Sequence, residues 1–178
     1  MDRIRRALLT EVPPLNALIA ASAMELSRGY YSSAQIKSLI SHVFGVDTQL
    51  ITDGTYYVIE GDGRLVACGG WSGRRTLFGG DQTKGTSDPI LDPATDAARI
   101  RAFFVHPTRA RQGLGRALLL HCEARARAAG FRRAELMATL PGEPLYRALG
   151  YEALESVVHE LPDGQRVAFV RMGRALAS

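Results

Sequence analysis

Leu15, Leu18, Ile19, Ser22 and Leu26 fall on one face of an α-helix. The predicted helix opens at Thr10 or Glu11 and closes at Gly29. Pro13 and Pro14 lie in its first turn, where a missing amide hydrogen costs no internal bond. Before it, Arg3 to Leu9 reads as a short strand. A second helix follows the capping-box sequence Ser32-Ser33-Ala34-Gln35 and turns Ile36, Leu39, Ile40 and Val43 inward. The runs Thr55–Glu60 and Arg64–Trp71 then flank Gly61-Asp62-Gly63 and predict a hairpin. From Ser72 to about Asp96 the chain is rich in Gly, Asp, Thr and Pro. Connections of that length are usually mobile or functional. Beyond it come a strand at Arg99–Val105, a helix from Gly113 to Ala129 ending at Gly130, and a strand at Ala134–Thr139. A short helix at Pro144–Leu149 precedes a hairpin of Glu152–Glu160 and Gln165–Arg171 around Pro162-Asp163-Gly164. Strand-helix-strand in the middle requires a crossover and some parallel pairing, whereas the hairpins pair antiparallel. The expected fold is α/β with a mixed, mostly antiparallel sheet and about four helices, in a single domain spanning residues 1–178.

Composition adds limits. With 178 residues, 46% hydrophobic and 22% charged, the chain can build one core but not two comfortable ones. No apolar run approaches the roughly 20 residues that span a bilayer. Met1–Arg6 leads into Thr10-Glu11 and Pro13-Pro14, not into the apolar stretch of a signal peptide, so a cytoplasmic protein without membrane partners is expected. Cys68 and Cys122 are far apart and flanked by apolar residues, which predicts buried thiols and no disulfide or metal site. The net charge of +4 comes from scattered arginines mixed with Glu123, Glu135 and Glu143, a poor pattern for nucleic acid.

The chemistry concentrates in the run Arg101 to Leu119. A strand ends at Val105, a turn follows at His106-Pro107, and Arg109, Ala110, Arg111, Gln112, Gly113, Leu114 and Gly115 lead into a long helix. The first-turn N–H groups of a helix lack internal partners and carry its positive pole. Glycines at Gly113 and Gly115 let a bulky anion approach that backbone, and Arg109, Arg111 and Arg116 add full charges. The expected ligand is a phosphate. ATP and NAD are disfavoured: Arg116-Ala117 replaces the Lys-Ser/Thr of a Walker loop, and Leu118 replaces the third glycine of the dinucleotide fingerprint.

This run resembles the acyl-CoA-binding motif of the GNAT superfamily of N-acetyltransferases, Arg/Gln-x-x-Gly-x-Gly/Ala between the fourth strand and third helix. Gly113-Leu114-Gly115 match it; Ala110 stands where Arg or Gln is usual, flanked by Arg109 and Arg111. Downstream, Tyr146-Arg147-Ala148-Leu149-Gly150-Tyr151 looks like the family's Tyr-x-x-x-Gly-Phe/Tyr segment. The resemblance covers about Arg3 to Arg171 and is specific mainly in the second half. It implies a GNAT-like sheet with splayed central parallel strands, acetyl-CoA as co-substrate without a metal, and an amine acceptor. It further implies that Phe103, Phe104 and Val105 border the pantetheine arm, with the Val105 N–H toward the thioester carbonyl. Arg109, Arg111, Gln112, Gly113, Leu114, Gly115, Arg116 and Ala117 are expected at the pyrophosphate. Tyr146 is the expected general acid for the departing thiolate.

The family's fourth-strand glutamate is absent from Arg99–Val105, so no base is assigned. Glu60, Asp96 and Glu135 read as surface or ion-pair carboxylates, and His106 as a turn residue. Tyr30, Tyr31, Trp71 and Phe78 are the aromatic residues expected near an acceptor, although Trp71 reads first as a core anchor. An acyl-CoA-sensing module without chemistry is the alternative reading. The final hairpin offers an edge through which two copies could pair.

Overall fold

The computed structural model describes Met1–Ala177. Its strands are β1 (Arg3–Arg6), β2 (Tyr56–Gly61), β3 (Arg64–Ser72), β4 (Ala98–Val105), β5 (Arg133–Thr139), β6 (Glu152–Glu160) and β7 (Arg166–Ala175). Its helices are α1 (Val12–Leu26), α2 (Ser33–His42), α3 (Thr48–Thr52), α4 (Leu114–Ala128) and α5 (Glu143–Ala148). The seven strands form one sheet in the order β1-β2-β3-β4-β5-β7-β6. Only β4 and β5 are parallel neighbours.

Local chemistry explains most element ends. At α2 the Ser32 hydroxyl accepts from the Gln35 N–H at 3.1 Å, and the Gln35 side chain accepts from the Ser32 N–H at 2.8 Å, a complete capping box. Gly130 and Gly150 adopt positive φ after α4 and α5. The first strand is shorter than its apolar pattern: Leu8 and Leu9 leave the sheet as the chain turns, and Glu11 accepts from the Leu8 N–H at 2.9 Å. The inward face of α1 also ends early. Ala23 is buried but Leu26 is 36% exposed, because the last turn, from Met24, projects beyond the core. The extra helix α3 is a single capped turn, with the Asp47 carboxylate accepting from the Gln49 N–H.

Helices α4 and α5 cover one face of the sheet, where Leu118, Leu119, Cys122 and Tyr146 pack on Ile100 and Leu136. On the other face, α1 packs through Leu15, Leu18 and Ile19 against Tyr56, Val58 and Cys68. Beside it, α2 packs Ile36 and Leu39 on Val167 and Phe169.

Two irregularities of β4 shape the site. First, Cys68 pairs with Phe104 but Gly70 pairs with Arg101, so Gly69 faces both Ala102 and Phe103. Ala102 sits at φ 54° in this bulge, and its carbonyl accepts from the buried Tyr56 hydroxyl at 2.8 Å. A Cβ on Gly69 would lie 2.6 Å from the Phe103 ring, so glycine is required for the ring to lie there. Second, β4 pairs with β5 only at Ala98↔Ala134 and Arg99↔Glu135. Beyond those pairs the strands separate, leaving Ile100 to Val105 without ladder partners on that side.

Candidate functional site

The turn between β4 and α4 presents a row of backbone donors. Arg111 at φ 59° and Gly113 at φ 82° turn the chain into α4. Gly113 is the N-cap residue and has no side chain to occupy the free N–H groups behind it. A Cβ on Gly113 would meet nothing within 4 Å, so the space over the helix start is open. Gly115 has a different constraint: a Cβ there would stand 3.0 Å from Leu145 of α5. Leu114 buries its side chain and offers only its N–H, while the Ala117 N–H already donates to the Gly113 carbonyl at 3.0 Å.

The arginines divide. Arg109 donates to Asp2 at 2.8 Å and to the Gln112 side-chain oxygen at 2.8 Å, so its charge is largely matched. Arg111 and Arg116 are exposed and make no ion pair among the described residues, leaving two uncommitted cations beside the helix start. His106 caps the intervening turn, its Nδ1 3.3 Å from the Thr108 N–H.

The gap between β4 and β5 is a cleft through the sheet. Ala102, Phe103, Phe104, Met137, Thr139 and Tyr146 are among its walls. The two adjacent phenylalanines point to opposite faces: Phe103 packs toward Tyr146, ring centroids 6.4 Å apart, and Phe104 packs edge-on against Phe44 at 5.3 Å. The His106 N–H donates to Val66 on β3 at 2.8 Å. Successive amides of a strand point to opposite sides, so the Val105 N–H is directed into the gap. Tyr146 is 8% exposed, and burial, with the Cys122 thiol adding to it, pushes its phenol well above the ordinary range. Its hydroxyl therefore stays protonated at neutral pH.

The carboxylates considered as bases are engaged elsewhere. Glu60 pairs with Arg5 at 3.0 Å; Glu135 pairs with Arg99 at 3.3 Å and Arg171 at 3.2 Å; Asp96 accepts from the Asp92 N–H at 2.7 Å. Trp71 is buried edge-on against Phe131, which makes it a core residue and removes it from the aromatic residues near an acceptor. Tyr30 is 50% exposed and lines no part of the cleft. Tyr31 is structural: its hydroxyl donates to Ala168 at 2.6 Å and accepts from the Leu140 N–H at 3.0 Å, and burial pushes it up to about 12. Phe78 does reach the cleft.

A buried charge cluster behind the cleft is absent from the sequence reading. Arg101, 1% exposed on β4, donates to Asp47 at 3.1 Å and to the carbonyls of Gly79 at 2.6 Å and Thr76 at 3.3 Å. Lys84 closes the cluster at 2.7 Å from Asp47 and 3.1 Å from Asp88. The long connection is thereby tied down, with Leu77, Phe78 and Gly79 in the cleft wall. The one signal in the sequence was a charged residue inside an apolar strand, since buried arginines need partners.

A sheet opened between two parallel strands, beside a helix start whose N–H groups no side chain caps, defines the class. The sequence profile of the acetyltransferase (GNAT) family matches residues 22–151, and the chain belongs to that family of acyltransferases. The fold is similar to that of a GCN5-related N-acetyltransferase from Rhodopseudomonas palustris, with 19% identity, a TM-score of 0.74 and coverage of 99% of this chain and 96% of that one. PaiA N-acetyltransferase from Thermoplasma acidophilum in complex with coenzyme A is similar at 13% identity and TM-score 0.65, covering 98% and 99%. So is yncA of Salmonella typhimurium with its cofactor acetyl-CoA, at 14% identity and TM-score 0.64, covering 100% and 95%. At these identities the likeness is one of fold. Comparison with curated protein sequences gives no match. Among the described residues no helix is long and apolar enough to cross a membrane, and no group of three or more His, Cys, Asp or Glu is placed to hold a metal ion.

Proposed function

We propose that the protein transfers the acetyl group of acetyl-CoA to an amine by direct attack in a ternary complex. The observation that carries this reading is the uncapped α4 start opening beside an unpaired stretch of β4. The N–H groups of Leu114, Gly115 and Arg116, with the side chains of Arg111 and Arg116, take the pyrophosphate. Gln112 and Arg109 brace the loop, and Ala117 borders the site without a free donor. Pantetheine runs along Phe103, Phe104 and Val105. The amine lone pair attacks the thioester carbonyl, and the Val105 N–H stabilises the oxyanion. As the tetrahedral intermediate collapses the C–S bond breaks, the thiolate takes the Tyr146 proton, the amine nitrogen loses one to solvent, and solvent returns a proton to Tyr146. A cytoplasmic location goes with this chemistry, since the buried Cys68 and Cys122 are free thiols. The free outer edge of β6 is where a second copy would add.

The test is calorimetric titration with acetyl-CoA, wild type against a Gly113→Asp/Gly115→Asp variant. Binding by the wild type that the carboxylates abolish supports the reading; no binding by the wild type refutes it. The absence of a carboxylate among the cleft-lining residues favours one second reading, an acyl-CoA sensor without turnover. Steady release of CoA thiol with a panel of amines excludes it.

A further inference from the structure

The cleft passes from one face of the sheet to the other, and its far half differs in character from the cofactor half. The helix start of α4 and Tyr146 belong to one face. On the opposite face the walls are Val43, Phe44 and Gly45 after α2, and Leu77, Phe78 and Gly79 of the long connection. An acceptor reaching the thioester opposite the cofactor enters between these two segments.

Five of the chain's six phenylalanines line this cleft: Phe103 and Phe104 border the proposed pantetheine path, and Phe44, Phe78 and Phe169 wall the far half. Among the lining residues none is Asp, Glu, Lys or Arg, and only Thr139 and Tyr146 carry polar side-chain atoms. Phe78 is packed between Phe169, at 5.6 Å, and His159, at 5.1 Å, so its ring has a fixed seat. The wall is held as well as packed. The Gly80 N–H donates to Val43 at 2.8 Å, Gln82 donates to Phe44 at 2.9 Å, and Arg101 grips the carbonyl of Gly79. The charges nearest the wall, Arg101, Asp47, Lys84 and Asp88, are ion-paired with one another, with Arg101 Nε left unpartnered, and none of the four lines the cleft.

A polyamine or amino sugar keeps further charges or hydroxyls that need carboxylates or other partners in the wall, and burying them unpaired is costly. An amine on an apolar skeleton faces no such cost. The same walls disfavour the ammonium form and so favour the neutral amine that attacks. Resting on the transferase reading above, we infer that the acceptor is a primary monoamine on an aromatic or branched apolar skeleton with no second charge.

The test measures CoA thiol release with 2-phenylethylamine, ethanolamine and spermidine, after calorimetric titration with acetyl-CoA. Burying a phenyl-sized group predicts a kcat/KM about 30–100-fold higher for 2-phenylethylamine than for ethanolamine. Phe78→Ala lowers that ratio, and Phe78→Asp shifts preference toward spermidine, with acetyl-CoA affinity retained in both. Failure to bind acetyl-CoA takes down the transferase reading itself. With binding intact, turnover of ethanolamine or spermidine equal to or above that of 2-phenylethylamine overturns the acceptor inference alone, as does no turnover of any of the three. A Phe78→Ala variant that changes preference between acetyl-CoA and hexanoyl-CoA, but not among amines, assigns the pocket to the acyl chain and also overturns it.

Discussion

Asp47→Ala removes the anion at the centre of the buried cluster. Its carboxylate, fully out of solvent, lies 2.7 Å from Lys84 Nζ through both oxygens, accepts from Arg101 at 3.1 Å and caps α3 through the Gln49 N–H at 3.0 Å. The two cations respond differently. Lys84 is 18% exposed at its side chain and keeps Asp88, so it can turn toward water. Arg101 cannot: its side chain is 0% exposed, its Nε already lacks a partner, and only the Thr76 and Gly79 carbonyls remain. Removing one partner of a buried pair costs about 3–5 kcal/mol, and loss of an N-cap about 1 kcal/mol. The expected loss is about 4–6 kcal/mol, or a fall in Tm of about 8–24 °C for a chain of this size. Asp47→Asn keeps the cap oxygen and removes the charge, so it should lose slightly less. Urea unfolding followed by circular dichroism gives both values from the midpoints at constant m. A loss below about 1 kcal/mol for Asp47→Ala, the scale of an exposed pair, would refute the claim that this cluster clamps the long connection.

Tyr146→Phe should lower kcat by about 100-fold or more while leaving the acetyl-CoA dissociation constant nearly unchanged; unaltered turnover in a thiol-release assay removes the general-acid role. Gly69→Ala places a Cβ into the Phe103 ring, so stability should fall by about 1–3 kcal/mol and acetyl-CoA affinity should fall with it, read by calorimetry on the folded variant. Stability should also decline at high pH. Burial pushes Cys68 and Tyr31 each up to about 12, whereas the unfolded chain releases these protons near its ordinary values of about 9 and 10. Above pH about 9 the folded state therefore binds more protons than the unfolded one, and the unfolding free energy falls as pH rises toward about 12. An unfolding midpoint that is flat from pH 8 to 11 would contradict this.

The legible parts of this protein were those written in local pattern. The α2 capping box, the glycines after α4 and α5, and the β2–β3 hairpin each depend on neighbours a few residues apart. The start of α4 was equally readable, because Gly113 marks it next to the helical period that follows. Other features depend on contacts across long stretches of chain. Asp47 and Arg101 are 54 residues apart, so nothing in either neighbourhood announces the pair. Arg109 likewise pairs with Asp2, 107 residues away, a contact that no local pattern announces. The bulge at Ala102 was invisible for another reason: a non-glycine residue holds the positive φ, so the usual marker is missing. Leu26 kept the helical period but outran the surface it was expected to cover.

The thin seam between β4 and β5 has a consequence for the life of the molecule. Two residue pairs are all that join the ladder of the first four strands to that of the last three. Along the rest of the seam β4 offers backbone amides that no strand takes up. A ligand bearing amides of its own can lie there as a surrogate strand, and whatever free energy it contributes to binding it contributes equally to keeping the two leaves of the sheet together. The empty protein is then its own weakest form. With acetyl-CoA as that ligand, persistence against heat and proteolysis would follow acetyl-CoA concentration, and a shortage would deplete the protein as well as slow it.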